Sequence, residues 1–350
     1  MKLFNILFTL FGVVTVIFFL FQILPGDPAR MMMDQNEDVE QLEIIKKKYG
    51  FDEPILKQYL YYLNDLSIIS IHSKNPEKIN FIRENKYSFT KIYDFQNSTL
   101  VLKFPYLRES YQRRGVKVST IIMDTFPNTV VLAISSILFA TVFGLLLGIF
   151  SALYKETLFD NSIQLFSTFG MSMPSFLSSI IFAWIFGFVL ADITGLNMTG
   201  SLFELDDFGD EYRLELKNLI LPSIVLGIRP IAVISMMMRN SLIETLKKNY
   251  VITAYAKGLS KSKVILNHCL KNSLNPVITA LSGWFASLLA GSVFVEYIFG
   301  WNGLGREIVN SLNLLDVPVI IGAVIVVSFS FIMINIFVDY IYKFLDPRIS

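Results

Sequence analysis

Cysteine is nearly absent. Cys269 stands alone among 350 residues, which excludes an intrachain disulfide and leaves the redox compartment unspecified. Histidine is almost as scarce: His72 and His268 are the only two, and the topology read below puts them on opposite faces of a membrane. A His-based metal pair and a serine–histidine dyad are both excluded on that basis. Charge is low, with 30 Lys and Arg against 29 Asp and Glu, or 17% of the chain. A net charge of +1 gives no basic footprint for nucleic acid. A phosphate loop is missing too. Gly300-Trp301-Asn302-Gly303-Leu304-Gly305 has no following Lys-Ser/Thr, and Lys257-Gly258-Leu259-Ser260-Lys261-Ser262 lacks the first glycine and the spacing. No catalytic, cofactor-binding or metal-ligating set is read from the chain.

What is present is apolar length. Residues 3–26, 125–154, 161–191, 272–295 and 317–338 contain no Asp, Glu, Lys or Arg, and each reaches the roughly 20 residues a spanning helix needs. A further run, 218–238, is apolar apart from Arg229. These make six transmembrane helices in an all-α integral membrane protein. The first run is too long for a signal-peptide core, and no small-x-small cleavage site precedes Pro25-Gly26-Asp27-Pro28, so it reads as a retained span.

Loop charge sets the orientation. Between Arg239 and Lys271 there are seven basic residues against one acid, Glu244, whereas 192–217 carries seven acids against Arg213 and Lys217. Basic short loops stay on the cytoplasmic side. Both termini and the 239–271 loop are therefore expected inside, with 192–217 and the long 27–124 segment outside. In that outer segment, residues 34–66 carry helical cues: the early acids Glu37, Asp38 and Glu40, a Tyr49-Gly50 stop, then Leu56, Tyr59, Leu60 and Leu63 at helical spacing. Residues 67–118 lose that period, and the alternation around Thr99–Phe104 predicts short strands.

The basic inner loop predicts two short helices. Ser241–Lys257 is compatible with helix, Gly258 suits a left-handed stop, and Ser260 can cap a second helix to about Lys271. Asn275-Pro276 then opens the next span. Two readings stand side by side: a rigid docking knob, with small residues such as Ala254 and Gly258 admitting a partner closely, and an interfacial hairpin held by lysines on lipid phosphates. Arg229 is costly at a bilayer centre, so it reads either as a pathway residue or as an ion pair or carbonyl cap at the Pro230 kink. Met171 and Met173 read as an adaptable path lining or as plain packing. Trp301 is expected at the membrane interface.

The run Tyr250-Val251-Ile252-Thr253-Ala254-Tyr255-Ala256-Lys257-Gly258-Leu259-Ser260, with His268, Asn272 and Pro276 downstream, resembles the EAA coupling loop of ABC-importer permeases. Further pieces in order are Leu24–Pro28, Lys48–Pro54 with Gln58-Tyr59, Pro127-Asn128-Thr129, Ser172–Phe176, Leu221-Pro222, Phe294-Val295-Glu296, Gly300–Gly305, Asp316-Val317-Pro318 and Leu345–Arg348. Together they resemble the first, B-type permease subunit of the dipeptide, oligopeptide and nickel importers. Two departures are visible. Ile252 and Thr253 stand where the motif has an acid and its first alanine, and 67–118 replaces what is usually a brief turn.

That resemblance implies a type I ABC importer transmembrane-domain fold with a large extracytoplasmic insertion between helices 1 and 2. The boundaries it implies are a first helix at 1–26, an outer segment at 27–118 with the insertion at 67–118, a five-helix core at 119–342 with the coupling loop at 239–276, and an inner tail at 343–350. It implies no enzyme activity in this chain, since ATP hydrolysis falls to two cytoplasmic ATPase subunits. A homologous second permease and an extracytoplasmic substrate-binding protein complete the expected assembly in a prokaryotic cytoplasmic membrane. Thr253, Ala254, Ala256, Lys257, Gly258, Leu259 and His268 are the implied ATPase-coupling residues, and His268 on its own also reads as a solvated helix face. A self-sufficient secondary transporter or channel is the competing class, and it would need intramembrane ion ligands that these spans scarcely supply.

Overall fold

The computed structural model describes residues 2–23, 27–33, 39–76, 78–82, 87–206 and 211–345. Leu24-Pro25-Gly26, the acids Glu37 and Asp38, two of the outer acids (Asp207 and Asp210) and the tail from Asp346 lie outside them.

In chain order, α1 (Lys2–Ile23) is the first apolar run, followed by α2 (Pro28–Met31), α3 (Val39–Tyr49) and α4 (Ile55–Leu66). Gly50 at φ +74° ends α3, as the Tyr49-Gly50 cue predicts. Strands β1 (Ile69–Ser73), β2 (Phe89–Asp94) and β3 (Ser98–Lys103) follow. Next come α5 (Val118–Leu153), α6 (Leu158–Ser172), α7 (Ser175–Trp184), which continues as a π turn to Val189, and α8 (Ala191–Thr194). A hairpin of β4 (Phe203–Leu205) and β5 (Tyr212–Leu214) leads to α9 (Ile220–Leu246). The basic segment holds α10 (Asn249–Ala256), α11 (Lys261–Val264), a π turn at Ile265–Cys269 and α12 (Leu270–Ser273). The chain then runs through α13 (Asn275–Gly291), α14 (Val293–Phe299), α15 (Leu304–Leu314) and α16 (Val317–Leu345).

The protein is mostly helical rather than all-α, because the outer segment and the acidic loop each fold a small antiparallel sheet. Among the described residues three helices are long and apolar enough to cross a membrane, Val118–Leu153, Leu216–Leu246 and Val317–Val338, and two bent pairs raise that to as many as five. One bent pair breaks the 161–191 run into two helices. The chain turns by 109° between Leu158–Ser172 and Ser175–Val189. Pro174 has no N–H to continue α6, and it biases Met173 to the extended backbone found there (φ −71°, ψ 129°). The second pair, Lys261–Ser273 with Asn275–Ala290, bends by 48°.

The chain divides into two compact units, residues 1–124 with 308–328, and 125–307 with 329–350. In the first, Val14 and Phe18 of α1 pack with Tyr59 and Tyr62 of α4 and Ile321 of α16. Its sheet has the order β1-β3-β2, with Ile71 opposite Leu100 and His72 opposite Thr99. One face buries Ser70, His72, Thr99, Val101 and Lys103. Below it the buried Asp65 accepts from Arg108 Nε at 2.9 Å and Tyr87 Oη at 2.8 Å.

In the second unit α9 is the hub, with α6, α7, α12, α13 and α14 packed on it. Helix α5 also approaches it closely. A Cβ added to Gly148 would lie 2.6 Å from the Ser235 carbonyl and 2.7 Å from Met238 Cβ, so a small residue is required at that crossing.

Candidate functional site: the basic knob and the buried carboxylates of the second unit

Helix α9 stops at Leu246, and two residues later α10 begins, so the expected Ser241–Lys257 helix is broken at Lys247-Lys248. The C-terminus of α10 is a Schellman stop: Gly258 N–H donates to Tyr255 O at 2.9 Å, and Leu259 N–H to Ala254 O at 3.4 Å. Gly258 takes φ +79°, as its position predicts. Ser260 precedes α11, but its side chain makes no capping bond. Asn272 Nδ2 donates to Tyr250 Oη at 2.8 Å and ties α12 back to α10.

This geometry divides the predicted coupling residues. Thr253, Ala256, Lys257, Gly258 and His268 are exposed. Ala254 is buried, and Leu259 packs against the cluster that holds Leu242, Val251, Val264 and Cys269. Ala254 and Leu259 therefore fasten the knob to its own protein instead of facing outward. The exposed face is more apolar than the motif suggested, with Ile252 59%, Tyr255 41% and Leu266 63% accessible among Lys257, Lys261 and Lys263.

Of the path candidates, Arg229 and Met173 meet. Arg229 Nε donates to the Met173 carbonyl at 3.2 Å. It thus caps the break before Pro174, not the kink at its own Pro230. Met171 is 44% exposed.

The Gly300–Gly305 segment binds an anion, and the anion is the protein's own. Fully buried Glu296 accepts from Gly305 N–H at 2.6 Å and Arg306 N–H at 3.2 Å, the first free amides of α15, and from Ser292 Oγ at 2.8 Å. Burial pushes its carboxyl up from the ordinary range, against the hydrogen bonds that favour the anion. Thr129 Oγ1 accepts from Leu304 N–H at 2.8 Å, and Asn128 Nδ2 donates to Asn302 O at 2.7 Å. Trp301 is fully buried, contrary to the interfacial expectation, with its indole N–H on Asn128 O at 3.1 Å. The separate motif pieces Pro127–Thr129, Glu296 and Gly300–Gly305 are thus one structure.

The second buried carboxylate, Asp160, was hidden from sequence reading. It sits one position outside a charge-free run, and its partner Arg239 lies 79 residues away, with Nη2 to Oδ2 at 2.6 Å. Among the described residues no group of three or more His, Cys, Asp or Glu side chains is arranged to hold a metal ion.

Comparison with known proteins follows the same lines. The family described as "Binding-protein-dependent transport system inner membrane component" matches residues 144–350, and its N-terminal companion matches residues 1–81. The chain is 32% identical over 357 residues to the di/tripeptide transport system permease protein DppB of Pseudomonas aeruginosa, covering 97% of this chain and 95% of that one. It is 30% identical over 348 residues to the glutathione transport system permease protein GsiC of Escherichia coli, covering 99% and 97%. Among solved structures, an inward-facing MetNI methionine ABC transporter shares the fold with a TM-score of 0.53 at 14% identity, covering 65% of this chain and 97% of that chain. The chain belongs to the family of inner membrane components of binding-protein-dependent transport systems, as a permease subunit.

Proposed function

We propose that this permease serves an ATP-driven importer of short peptides, crossing the membrane six times with both termini and the 239–276 loop inside. The six are α1, α5, the α6–α7 pair, α9, α13 and α16. The outer segment 27–118 then faces the side from which an extracytoplasmic binding protein delivers solute, and 67–118 enlarges that face. A homologous second permease completes the path, and two ATPase subunits bind beneath. Short peptides are favoured because relatives aligned over nearly the whole chain are named for di/tripeptide and glutathione transport.

One observation carries the coupling role. The knob from α10 to α12 exposes Ile252, Tyr255 and Leu266 on the most basic loop of the chain. Exposed apolar side chains on a rigidly stopped helix fit a groove on a soluble partner, and flanking lysines suit an acidic rim. In this reading Thr253, Ala256, Lys257, Gly258 and His268 face the ATPase, while Ala254 and Leu259 hold the knob in place. Arg229, Met171 and Met173 belong to the path at the α6 break. Coexpression with candidate ATPases and a second permease tests it. The four components should copurify, and Ile252→Asp should cut ATPase recovery by about tenfold, the scale of one lost interface anchor. Solute uptake by this chain alone, without ATP, would refute it.

A further inference from the structure

The inner ends of α5, α6 and α9 converge on Asp160, which is fully buried. Its carboxylate accepts from Arg239 Nε at 2.7 Å and Nη2 at 2.6 Å, from Gln164 Nε2 at 3.1 Å, from the Glu156 backbone N–H at 2.9 Å and from the Ser151 hydroxyl. The opposite end of α6 is also held by α9, where Arg229 Nε reaches the Met173 carbonyl left open at the break. The two arginines are ten residues apart, about 15 Å along α9. Helix α9 therefore grips α6 at both ends with guanidinium groups.

Between the grips the contact is apolar and opens on one side into a groove. That open groove, about 250 Å³, is lined by Leu147 of α5, Ile163, Phe166 and Gly170 of α6, and Ile228 and Ile231 of α9. The apolar contact is close, with a Cβ added to Gly170 only 3.1 Å from Ile228 Cγ2, but it holds no directional bond. A bidentate ion pair supplies one. The polar ends thus add a directional hold to the apolar contact between them.

Helix α9 also runs almost directly into α10, the first helix of the knob. We propose that Asp160–Arg239 and Arg229–Met173 weld α6 to α9, so that a push received at α10 carries both helices, and the α6–α7 break with them, as one rigid body. Asp160 and Arg239 are positioning residues in this scheme, and it rests on the coupling reading above.

The test introduces Gly170→Cys with Ala232→Cys on a Cys269→Ser background. A Cβ built on Gly170 lies 3.9 Å from Ala232 Cβ, the spacing of a disulfide, although Ile228 Cγ2 at 3.1 Å must shift slightly. The chain is reconstituted in proteoliposomes with its second permease, ATPases and binding protein, and ATP turnover and uptake of radiolabelled dialanine are followed. Oxidised protein should keep both rates within about twofold of reduced protein. Asp160→Asn should lower dialanine uptake per ATP by at least about fivefold, and closing the disulfide in that variant should restore it. Arg239→Lys, which keeps the charge but loses the fork, carries the same expectation where Asp160→Asn fails to fold. A loss of about tenfold on oxidation, regained with dithiothreitol, would show that α6 must slide on α9 and would overturn the weld. So would a normal uptake per ATP in Asp160→Asn or Arg239→Lys. Absence of dialanine uptake in the parent counts against the peptide reading alone, because oxidised against reduced ATP turnover still decides the proposal. A parent chain that recruits no ATPase refutes the coupling reading instead.

Discussion

Glu296 offers the sharpest test of how the glycine-rich segment is held. Its carboxylate satisfies the amides of Gly305 and Arg306 at the start of α15 and the hydroxyl of Ser292. In Glu296→Ala the hydroxyl can rotate to another acceptor, but the two amides cannot. A buried orphan amide costs about 1–3 kcal/mol, so the pair should cost about 2–6 kcal/mol. Glu296→Gln keeps one oxygen for one amide and gives up the charge at a helix N-terminus, for about 1–2 kcal/mol. The two variants should rank in that order. Trp301 reports on the same place, because it is fully buried beside Asn128, and replacing Trp184 and Trp284 with Phe leaves it as the single tryptophan. Unfolding in mixed micelles of rising dodecyl sulfate, followed by Trp301 fluorescence, gives the free-energy differences. An Ala variant within about 0.5 kcal/mol of the parent would refute the reasoning. The pH dependence is a second check. Burial raises the native carboxyl above its unfolded value, so between the two values the native state binds the extra proton. Stability should therefore be highest below the ordinary glutamate range, fall as pH rises through the native value, and lose that slope in Glu296→Gln.

Three further outcomes are expected. In Gly303→Ala the new Cβ would meet the Glu296 carboxylate and lie 2.7 Å from Thr129 Oγ1, which should cost about 1–3 kcal/mol in the same Trp301 assay. Asp65→Ala removes the carboxylate that Arg108 and Tyr87 donate to in the first unit and should destabilise it by about 3–5 kcal/mol, visible as faster limited proteolysis between 87 and 117. Gly258→Ala forces a side chain into left-handed backbone at about 1–2 kcal/mol but meets no atom within 4 Å, so amide exchange should rise at Gly258 and Leu259 while the fold stays intact.

Several elements were legible because a local rule decides them. Charge-free length marks α1, α5 and α16, residue alternation marks β3, and a glycine after a helical run marks the left-handed stops at Gly50 and Gly258. The 161–191 run misled because hydropathy registers composition and not direction. Pro174 lay inside the run, yet nothing apolar about its neighbours announces a 109° turn. The β4–β5 hairpin escaped because three-residue strands are too short to show alternation. Ala254 and Trp301 were misplaced for a common reason. Residue type says what can be buried, whereas which side of a helix or loop is covered depends on partners distant in sequence.

The buried acids depend on distant partners in the same way, and they explain why topology and site were legible to different degrees. The positive-inside reading counts charges in loops and treats them as solvated. Asp65, Asp160 and Glu296 are each buried at the edge of a helix or apolar run, where their charges look like loop charges. Such a carboxylate is tolerable only with its hydrogen-bonding capacity filled. Each therefore gathers donors from chain segments that have no local reason to meet: Tyr87 and Arg108 on Asp65, Ser151 and Arg239 on Asp160, the start of α15 on Glu296. The apolar runs specify which segments become helices but pack with little register. The buried acids supply register, at points where a helix ends and must be told where to stop. An acid within a residue or two of a span boundary, flanked by small or hydroxylated residues, is thus better read as a stitch between helices than as a vote on orientation.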